Sequence, residues 1–253
     1  MYDAIILAGG ENKKKFLGLS SQPYEALIEI AGQPMVAFVA RALAASGSVN
    51  RIFVVGPEAE LRRCAFATPV NILAGGNTIM ETIQIGMAAL GHRDKVLVAT
   101  ADIPLLTAEA VNDFLAQCSG ADADFYYPII SKEMNERRFP ATRRTYVRLR
   151  EGTFTGGNIF LVNPDIVTRS LAVANRIIEN RKRPLTLCGI LGWGFVLNFL
   201  TGRLRLREVE QRVSELLKLR GAVVHSPYPE LGIDVDKPSD LELVRAAIAG
   251  SAL

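Results

Sequence analysis

Strand-like and helix-like segments alternate along the first half of this chain, and that alternation restricts its fold more than any other feature. Four short apolar runs are typical of strands, at 4–8, 51–55, 70–73 and 95–100. The segments 34–45 and 77–90 between them carry apolar residues at helical spacing. Such alternation predicts a mostly parallel sheet with helices on both faces, which is a three-layer α/β fold.

The second half of the chain is less regular. Strand-like runs recur at 125–130, 159–162 and 222–225. The stretch from 164 to 219 has a mainly helical pattern, and no repeat, low-complexity tract or linker interrupts the sequence. We therefore predict a single domain over residues 1–253, with a helical elaboration at about 165–220.

Charge and composition narrow the class of protein. The net charge of +3 is too small to indicate a nucleic-acid-binding protein. The three cysteines lie far apart, without the spacing of a zinc or redox site, so we expect a reducing, cytoplasmic location. Two histidines are too few for a histidine-rich metal centre, and neither lies near a hydrolase nucleophile motif.

One apolar segment, at 185–200, is the part of the chain most similar to a membrane element. It is shorter than the ~20 residues that a spanning helix needs, and Asn198 interrupts it. We expect a buried or partly exposed helix. Contact with a membrane surface is the alternative, since the basic run at 181–183 would suit anionic lipid. We do not favour it.

A glycine pair followed by lysines is the first motif that could carry chemistry. Gly9 and Gly10 follow the strand at 4–8, and three lysines come shortly after them. Glycines let backbone N–H groups approach phosphate oxygens closely, and lysines neutralise phosphate charge. A tight turn beside a basic surface loop is the alternative. The motif matches neither the P-loop nor the dinucleotide fingerprint.

Two carboxylates near predicted strand ends are candidate ligands of Mg²⁺. Asp102 follows the strand at 95–100, at the edge where such sheets bind ligands. Asp236 comes two residues after Asp234 on a strand-like run, so these two side chains share a face. Mg²⁺ prefers carboxylate and phosphate oxygens together with water. Plainer alternatives are a turn for Asp102 and a helix cap for Asp236.

A second motif with a glycine pair precedes the strand at 159–162. Its residues could line a pocket or form a plain hairpin turn, and they are Thr155, Gly156, Gly157 and Asn158. Together, the separated carboxylates, the glycine–lysine loop and the glycine turns meet the needs of metal-assisted attack on a phosphate.

In this order, the motifs resemble the MobA-like NTP transferases, which include relatives of molybdenum-cofactor guanylyltransferase within the nucleotidyltransferase group of GT-A fold. The similarity is carried by LAGG at 7–10, GGNTIMETIQIGMAAL at 75–90, VLVATADIPLLT at 96–107, FTGGNIFLVNP at 154–164 and GIDVDKPSDLEL at 232–243. It touches nearly the whole chain except about 165–220.

This resemblance implies a Rossmann-like GT-A fold and a role for each matching position. The residues implied for the nucleotide are Leu7, Ala8, Gly9, Gly10, Glu11, Lys13, Lys14, Gly75, Gly76 and Asn77. Those implied for the acceptor are Thr155, Gly156, Gly157 and Asn158. Asp102 and Asp236 would hold Mg²⁺, and together with Lys14 they would be the catalytic residues.

One residue departs from the pattern of similar sequences. They usually place a lysine just before ALI, and this chain has Glu25 there. A lysine would stabilise the charge that grows on the attacked phosphate, whereas a carboxylate would repel it. Either Lys13, Lys14 or Lys15 supplies the missing charge, or the chain catalyses poorly.

The leading hypothesis is a Mg²⁺-dependent nucleotidyltransferase. It would transfer NMP from an NTP to a phosphorylated or similar anionic acceptor and release pyrophosphate, with no nucleic-acid partner. A catalytically impaired nucleotide-binding or regulatory module is one alternative, which Glu25 suggests. A GT-A glycosyltransferase using a nucleotide-sugar is another, since Asp234 and Asp236 have D-x-D spacing, although they lie near the C-terminus.

Overall fold

The structure is a computed structural model, and it describes residues 1–12, 15–16, 18–91, 94–120, 122–167 and 192–250. The strands of this part of the chain are β1 Tyr2–Leu7, β2 Glu29–Ile30, β3 Gln33–Pro34, β4 Val49–Gly56, β5 Asn71–Ala74, β6 Val96–Thr100, β7 Phe125–Ser131, β8 Val147–Leu149, β9 Gly152–Gly156, β10 Ile159–Val162 and β11 Gly221–His225. Its helices are α1 Met35–Ala45, α2 Glu58–Leu61, α3 Ile79–Leu90, α4 Ala108–Cys118, α5 Lys132–Arg138, α6 Trp193–Leu200, α7 Leu206–Leu217 and α8 Pro238–Gly250.

A nine-stranded sheet forms the centre of the described fold. Strands β5, β4, β1 and β6 lie side by side in that order, and each neighbouring pair is parallel. Next to β6, strand β10 runs antiparallel. The parallel half confirms the alternation read from the sequence, and the architecture is the expected α/β, Rossmann-like fold.

Alternate residues of the central strands enter two separate cores, one on each face of the sheet. Leu97 of β6 packs with α1 and α4 on one face, whereas Val98 packs with α3 on the other. Both side chains are fully buried. Because successive side chains of a strand point to opposite faces, a continuous apolar run is what a sheet covered on both sides requires.

Strands β9 and β10 follow one side of β7 as the two halves of a bent strand, and β11 takes the other side of β7. Gly156 pairs with Ile129, whereas Leu161 pairs with Tyr126, so the register shifts by two residues between the halves. A plain hairpin turn does not describe this stretch, because both strands pair with β7. The extra residues instead turn the chain from β7 toward β6.

Two expectations about secondary structure need correction or restriction. The strand-like run around Asp234 pairs with no strand of the described fold, because a 3₁₀ turn over Pro229–Gly232 precedes it and Val235 N donates to Asp102 O at 2.9 Å. In the expected helical elaboration, α6 and α7 are helices, and residues 168–191 lie outside the described part.

The apolar segment at 185–200 is described from Gly192 onward. Its helix α6 leaves Leu197 57% and Leu200 73% exposed, so the expectation of a partly exposed helix is met for this portion. Within the described ranges, no helix combines the length and apolar character that crossing a bilayer demands.

Candidate active site

The glycine loop begins where β1 leaves the sheet. Ala8 N donates to Val55 O at 2.9 Å, and Ala101 N donates to Leu7 O at 3.1 Å, so the main chain stays anchored between β4 and β6 up to this point. Gly9 and Gly10 then become exposed. The hydrogen bonds of the described residues leave the N–H groups of both glycines without an acceptor. These two donors are therefore free to bind an anion.

Close backbone contacts hold this loop in place. A Cβ atom on Gly56, at the end of β4, would lie 2.8 Å from the carbonyl carbon of Ala8. Gly75 N donates to Gly56 O at 2.8 Å, which continues the same layer beyond β5. Glycine at position 56 is required by this packing. The sequence signal for it is a glycine at the end of a predicted strand.

The loop also closes on itself before it returns to the core. Glu25 N donates to Gly10 O at 2.8 Å, and Asn12 N donates to Pro23 O at 2.8 Å. The side-chain amide of Asn12 adds a bond to Gln22 O at 2.8 Å. Lys13 and Lys14 lie outside the described residues, so the catalytic role given to Lys14 stays a prediction.

The second predicted nucleotide segment, Gly75 to Asn77, is exposed beside the start of α3. Its backbone donors are already used: Gly76 N bonds to Thr82 Oγ1 at 3.2 Å, and Asn77 N bonds to Glu81 Oε2 at 2.7 Å. Thr78 caps the helix through its bond from Glu81 N at 3.1 Å. Contact of this segment with a base or ribose would therefore rest on side-chain and van der Waals surface rather than on N–H donors.

Asp102 is a carboxyl group whose surroundings disfavour its negative charge. It lies just beyond β6, where Thr100 Oγ1 donates to its Oδ1 at 2.5 Å. Burial, together with the nearby charges of Asp234 and Glu25, raises the pKa of Asp102 to about 7, although the Thr100 bond acts in the opposite direction. A carboxylate in this state favours an added cation.

One backbone hydrogen bond holds the segment of Asp234 and Asp236 next to Asp102. Val235 N donates to Asp102 O at 2.9 Å, and this bond holds Asp234 and Asp236 on either side of it near Asp102. Asp234 forms an ion pair with Arg144, and both side chains are largely buried. Asp236 is 65% exposed. Of this pair, Asp236 is the one that remains accessible to a ligand.

Asp240 takes the capping role that the sequence left open for Asp236. Its Oδ2 accepts from the N–H groups of Asp236 and Lys237, both at 3.2 Å, at the start of α8. A first-turn carboxylate that accepts from the N–H groups just before the helix stabilises the helix N-terminus. The side chain of Asp236 is therefore not needed for the cap.

Glu25 and Lys15 form an ion pair beside the glycine loop. Lys15 Nζ lies 2.7 Å from Glu25 Oε1 and 3.3 Å from Asp236 Oδ1. Burial lowers the pKa of Lys15, but its two carboxylate partners outweigh that effect and raise the pKa above its ordinary value. Lys15 is therefore a firmly charged ammonium, and it stands within reach of both Glu25 and a predicted metal ligand.

The predicted acceptor residues occupy the bend between β9 and β10. Thr100 N donates to Asn158 O at 3.0 Å, which places this bend beside the strand that leads to Asp102. A Cβ on Gly156 would overlap Tyr127 Oη, so Tyr127 packs against the bare glycine. Asn158 Nδ2 is buried without a hydrogen-bond partner among the described residues. Such an orphaned donor is suited to a ligand oxygen.

Arg144 is a site residue that no motif marks individually, although the sequence places it in a basic cluster at 143–144 of the kind that serves anionic small molecules. It lay in an irregular basic stretch where no periodicity points to a strand or helix, and its importance comes from Asp234, which is 90 residues away in sequence. Its Nε is buried and has no partner in the described part of the chain. It brings a second unsatisfied donor, with positive charge, to the acceptor side.

The residues present fit Mg²⁺ shared with a phosphate, and they do not fit a cage built by protein alone. No group of three or more histidine, cysteine or acidic side chains that could hold a metal occurs among the described residues. Asp102 and Asp236 would supply two carboxylates to the ion. The remaining positions around it would be open to phosphate oxygens and water. That mixture is what Mg²⁺ usually takes.

Comparison with known proteins gives a consistent result. The profile of the MobA-like NTP transferase domain matches residues 4–186. Among curated proteins, the bifunctional protein GlmU of Parvibaculum lavamentivorans is 35% identical over 130 residues, which are 47% of this chain and 27% of GlmU. The chain thus spans about a quarter of the length of the GlmU proteins it matches.

Solved structures agree in fold. A hypothetical transferase from Thermus thermophilus is 39% identical, with a TM-score of 0.82, and the match covers 95% of this chain and 100% of that one. A CMP-2-keto-3-deoxy-manno-octonic acid synthetase in complex with CTP matches with a TM-score of 0.66 at 15% identity, over 99% of both chains. The second likeness supports the fold alone.

Proposed function

Because this chain belongs to the MobA-like NTP transferase domain family, a family of nucleotidyltransferases, we propose that it transfers NMP from an NTP to a phosphorylated or similar anionic acceptor and releases pyrophosphate. The observation that carries the proposal is Asp102, whose pKa is raised to about 7 beside a glycine turn with two free N–H donors. A carboxylate in that position attracts a divalent cation, and the turn accepts phosphate oxygens.

Each segment of the candidate site would bind a different part of the nucleotide. The N–H groups of Gly9 and Gly10 would bind phosphate oxygens, with Lys13 and Lys14 following in the same loop. Asp102 and Asp236 would hold Mg²⁺. Bound there, Mg²⁺ neutralises the charge of the triphosphate and of the pyrophosphate that leaves. Gly75, Gly76 and Asn77 would contact the base or ribose.

The acceptor would enter from the side of the bent strand. Arg144 and Asn158 each present a buried donor without a partner in the described chain, and they would fix an anionic group of the acceptor. An acceptor oxygen forms a bond to the α-phosphorus, and the bond from that phosphorus to the bridging oxygen breaks. An ionised phosphate needs no base to attack, so the protein contributes positioning and electrostatics.

We also propose that the protein acts in the cytoplasm, as one domain, without a nucleic-acid partner. Cys64 and Cys118 are free thiols, which fits a reducing compartment. Burial raises the pKa of Cys118 to about 12, so that thiol is unreactive. Contact with a membrane surface stays the less favoured possibility.

A nucleotide-binding module without catalysis is the second candidate, and Glu25 is the observation that favours it. Its carboxylate lies against Gly10, since a Cβ on that glycine would be 3.1 Å from Glu25 Oε2. An unneutralised charge there would oppose a triphosphate. The glycosyltransferase alternative loses support, because Asp234 of its D-x-D pair is engaged by Arg144.

Binding and catalysis are tested in that order. We expect at least one of the four NTPs to raise the melting temperature of the protein with Mg²⁺ present, because a ligand that binds the folded state stabilises it by mass action. Pyrophosphate release is then measured with the best NTP and a panel of phosphorylated acceptors. Absence of binding by all four NTPs would refute the proposal. Binding without any release over the panel would favour the second candidate.

A further inference from the structure

We propose that Glu25 is a positioning residue, which holds Lys15 so that its ammonium supplies the cationic contact to the triphosphate. Similar sequences usually have a lysine at the position of Glu25. In this chain the positive charge would come from a residue ten positions earlier and be fixed by the carboxylate at position 25. The inference rests on the proposed nucleotide-binding function.

The contacts of Lys15 support this role. An ammonium has three N–H donors. Lys15 Nζ donates to Asp236 Oδ1 at 3.3 Å and forms an ion pair with Glu25 Oε1 at 2.7 Å. Two carboxylate neighbours leave at least one N–H for a ligand, and the Lys15 side chain is 42% exposed, so a ligand can reach it.

The burial of Glu25 explains why it can act as an anchor. Its side chain is 11% exposed, its backbone N–H is bonded to Gly10 O, and its carboxylate touches the face of Gly10. A carboxylate in such a fixed place restricts the long, flexible lysine side chain, so less entropy is lost when the lysine contacts a phosphate. The same pairing removes the repulsion that Glu25 alone would exert on the triphosphate.

The link to Asp236 connects the ammonium with the proposed metal ligands. Asp236 belongs to the segment that Val235 ties to Asp102. Glu25 and Asp236 therefore hold Lys15 between the glycine turn and the predicted cation site. A triphosphate that spans the two would pass the ammonium.

The experiment uses binding of magnesium tripolyphosphate to the full chain, measured by titration calorimetry, so it needs neither the base nor the acceptor. Lys15→Met should weaken binding about 10- to 100-fold, the usual loss for a hydrogen bond to a charged group. Lys15→Arg should keep most of the affinity. The matched control is Lys218→Met, an exposed lysine before β11 at the opposite edge of the sheet.

Variants of Glu25 test the positioning role separately. Glu25→Gln should weaken binding roughly 3- to 10-fold, because a neutral acceptor holds the ammonium about half as strongly. Lys15→Glu should bind least, and the exchanged pair Lys15→Glu/Glu25→Lys should recover about 10-fold or more over it. Thermal melts of each variant confirm folding.

Three results separate the possible failures. If wild-type protein binds neither NTP nor tripolyphosphate, the proposed function and this inference both fail. If wild type binds and Lys15→Met matches Lys218→Met, the inference alone fails. If Lys15→Met weakens binding but Glu25→Gln leaves it unchanged, Lys15 contacts the phosphates without help from Glu25, and the positioning role is overturned.

Discussion

Charge at the carboxyl end of β6 is distributed unevenly among neighbouring carboxylates. Asp234 has Arg144 and Glu25 has Lys15, whereas the bonds described for Asp102 are those of Thr100 and the backbone. A charge left without a counter-ion in a partly buried place destabilises the folded state until something neutralises it. Binding sites often retain such a cost, because the ligand that relieves it is bound more tightly.

Asp102→Asn is expected to stabilise the metal-free protein while removing its activity. The ordinary pKa of 3.8 rises to about 7 on folding, so the folded state holds the proton more tightly. Stability contributed by this carboxyl is full below pH 4 and is lost as pH rises to about 7. With EDTA at pH 8, we expect a gain of roughly 1–2 kcal/mol, or about 2–8 °C in melting temperature, that vanishes near pH 4.

The control for this substitution is Glu242→Gln, an exposed carboxyl on α8, which should leave the melting curve unchanged at both pH values. Equal melting temperatures of wild type and Asp102→Asn at pH 8 would show that Asp102 bears no such cost. Magnesium added to wild type should raise its melting temperature, and it should have a much smaller effect on Asp102→Asn.

Residue types at strand ends made part of this site predictable. Gly9, Gly10 and Asp102 could be named as candidates because each follows a buried strand at the edge where such sheets bind ligands, although a plain turn was the alternative use of each. Arg144 could not, because its place depends on Asp234, and nothing local to either residue encodes that pairing. The Lys15–Glu25 contact likewise joins residues across a loop of irregular conformation, which propensity does not specify.

Gly86 lets helix α3 pack directly against Ile5 of β1 at the centre of the sheet. A Cβ on Gly86 would lie 2.7 Å from Ile5 Cδ1 and 3.0 Å from both Ile5 Cγ1 and Cγ2. Both residues are buried. Since α3 begins at the Thr78 cap beside the second glycine turn, its distance from β1 also sets the position of that turn.

Gly86→Ala should destabilise the protein by about 1–3 kcal/mol, because overpacking against Ile5 outweighs the roughly 1 kcal/mol that alanine gains in helix propensity. Urea unfolding measures the change. Ile5→Val removes the nearest methyl group and should cost about 0.5–1.5 kcal/mol alone. The double variant should be more stable than the sum of the two losses. Additive losses would show that the two residues do not compete for this space.

Elements of the parallel half were the most predictable. Strands β1, β4, β5 and β6 are short apolar runs between turns, and helices α1, α3 and α4 have regular apolar spacing, so local pattern defines them. The sequence predicted the strand at 159–162 that forms β10, but it did not predict that β9 and β10 are two halves of one bent strand. Its bend depends on Gly156 and Gly157 passing Tyr127 and Pro128, which is a contact between distant segments.

On the surface of the molecule, α6 presents apolar side chains to solvent. Leu197 and Leu200 are three residues apart and therefore share a helical face, and Phe199 beside them is 39% exposed. Single exposed apolar residues are ordinary, but a cluster on one face marks a surface that avoids water.

Leu197→Ser/Leu200→Ser should reduce binding of the dye ANS and any self-association at high protein concentration. The melting temperature should change little, because exposed positions usually contribute within about 0.5 kcal/mol each. Fluorescence and sedimentation velocity measure the two effects. Ile85→Ser, which removes a 37% exposed side chain from α3, is the matched control and should leave both readings as in wild type. Unaltered dye binding in the double variant would contradict the expectation.

The antiparallel strand β10 divides the edge of the sheet that carries the candidate site into two regions. On one side, glycines lie at the ends of β1, β4 and β5, and Asp102 follows β6. On the other side, the bent strand contains Gly156 and leads through Asn158, and Tyr127 of β7 packs against Gly156. The two regions meet through main-chain hydrogen bonds: Thr100 N donates to Asn158 O, and Val235 N donates to Asp102 O. Main-chain junctions tolerate changes of side chain. Evolution can therefore change the side chains of one region to suit another substrate while the other region stays the same.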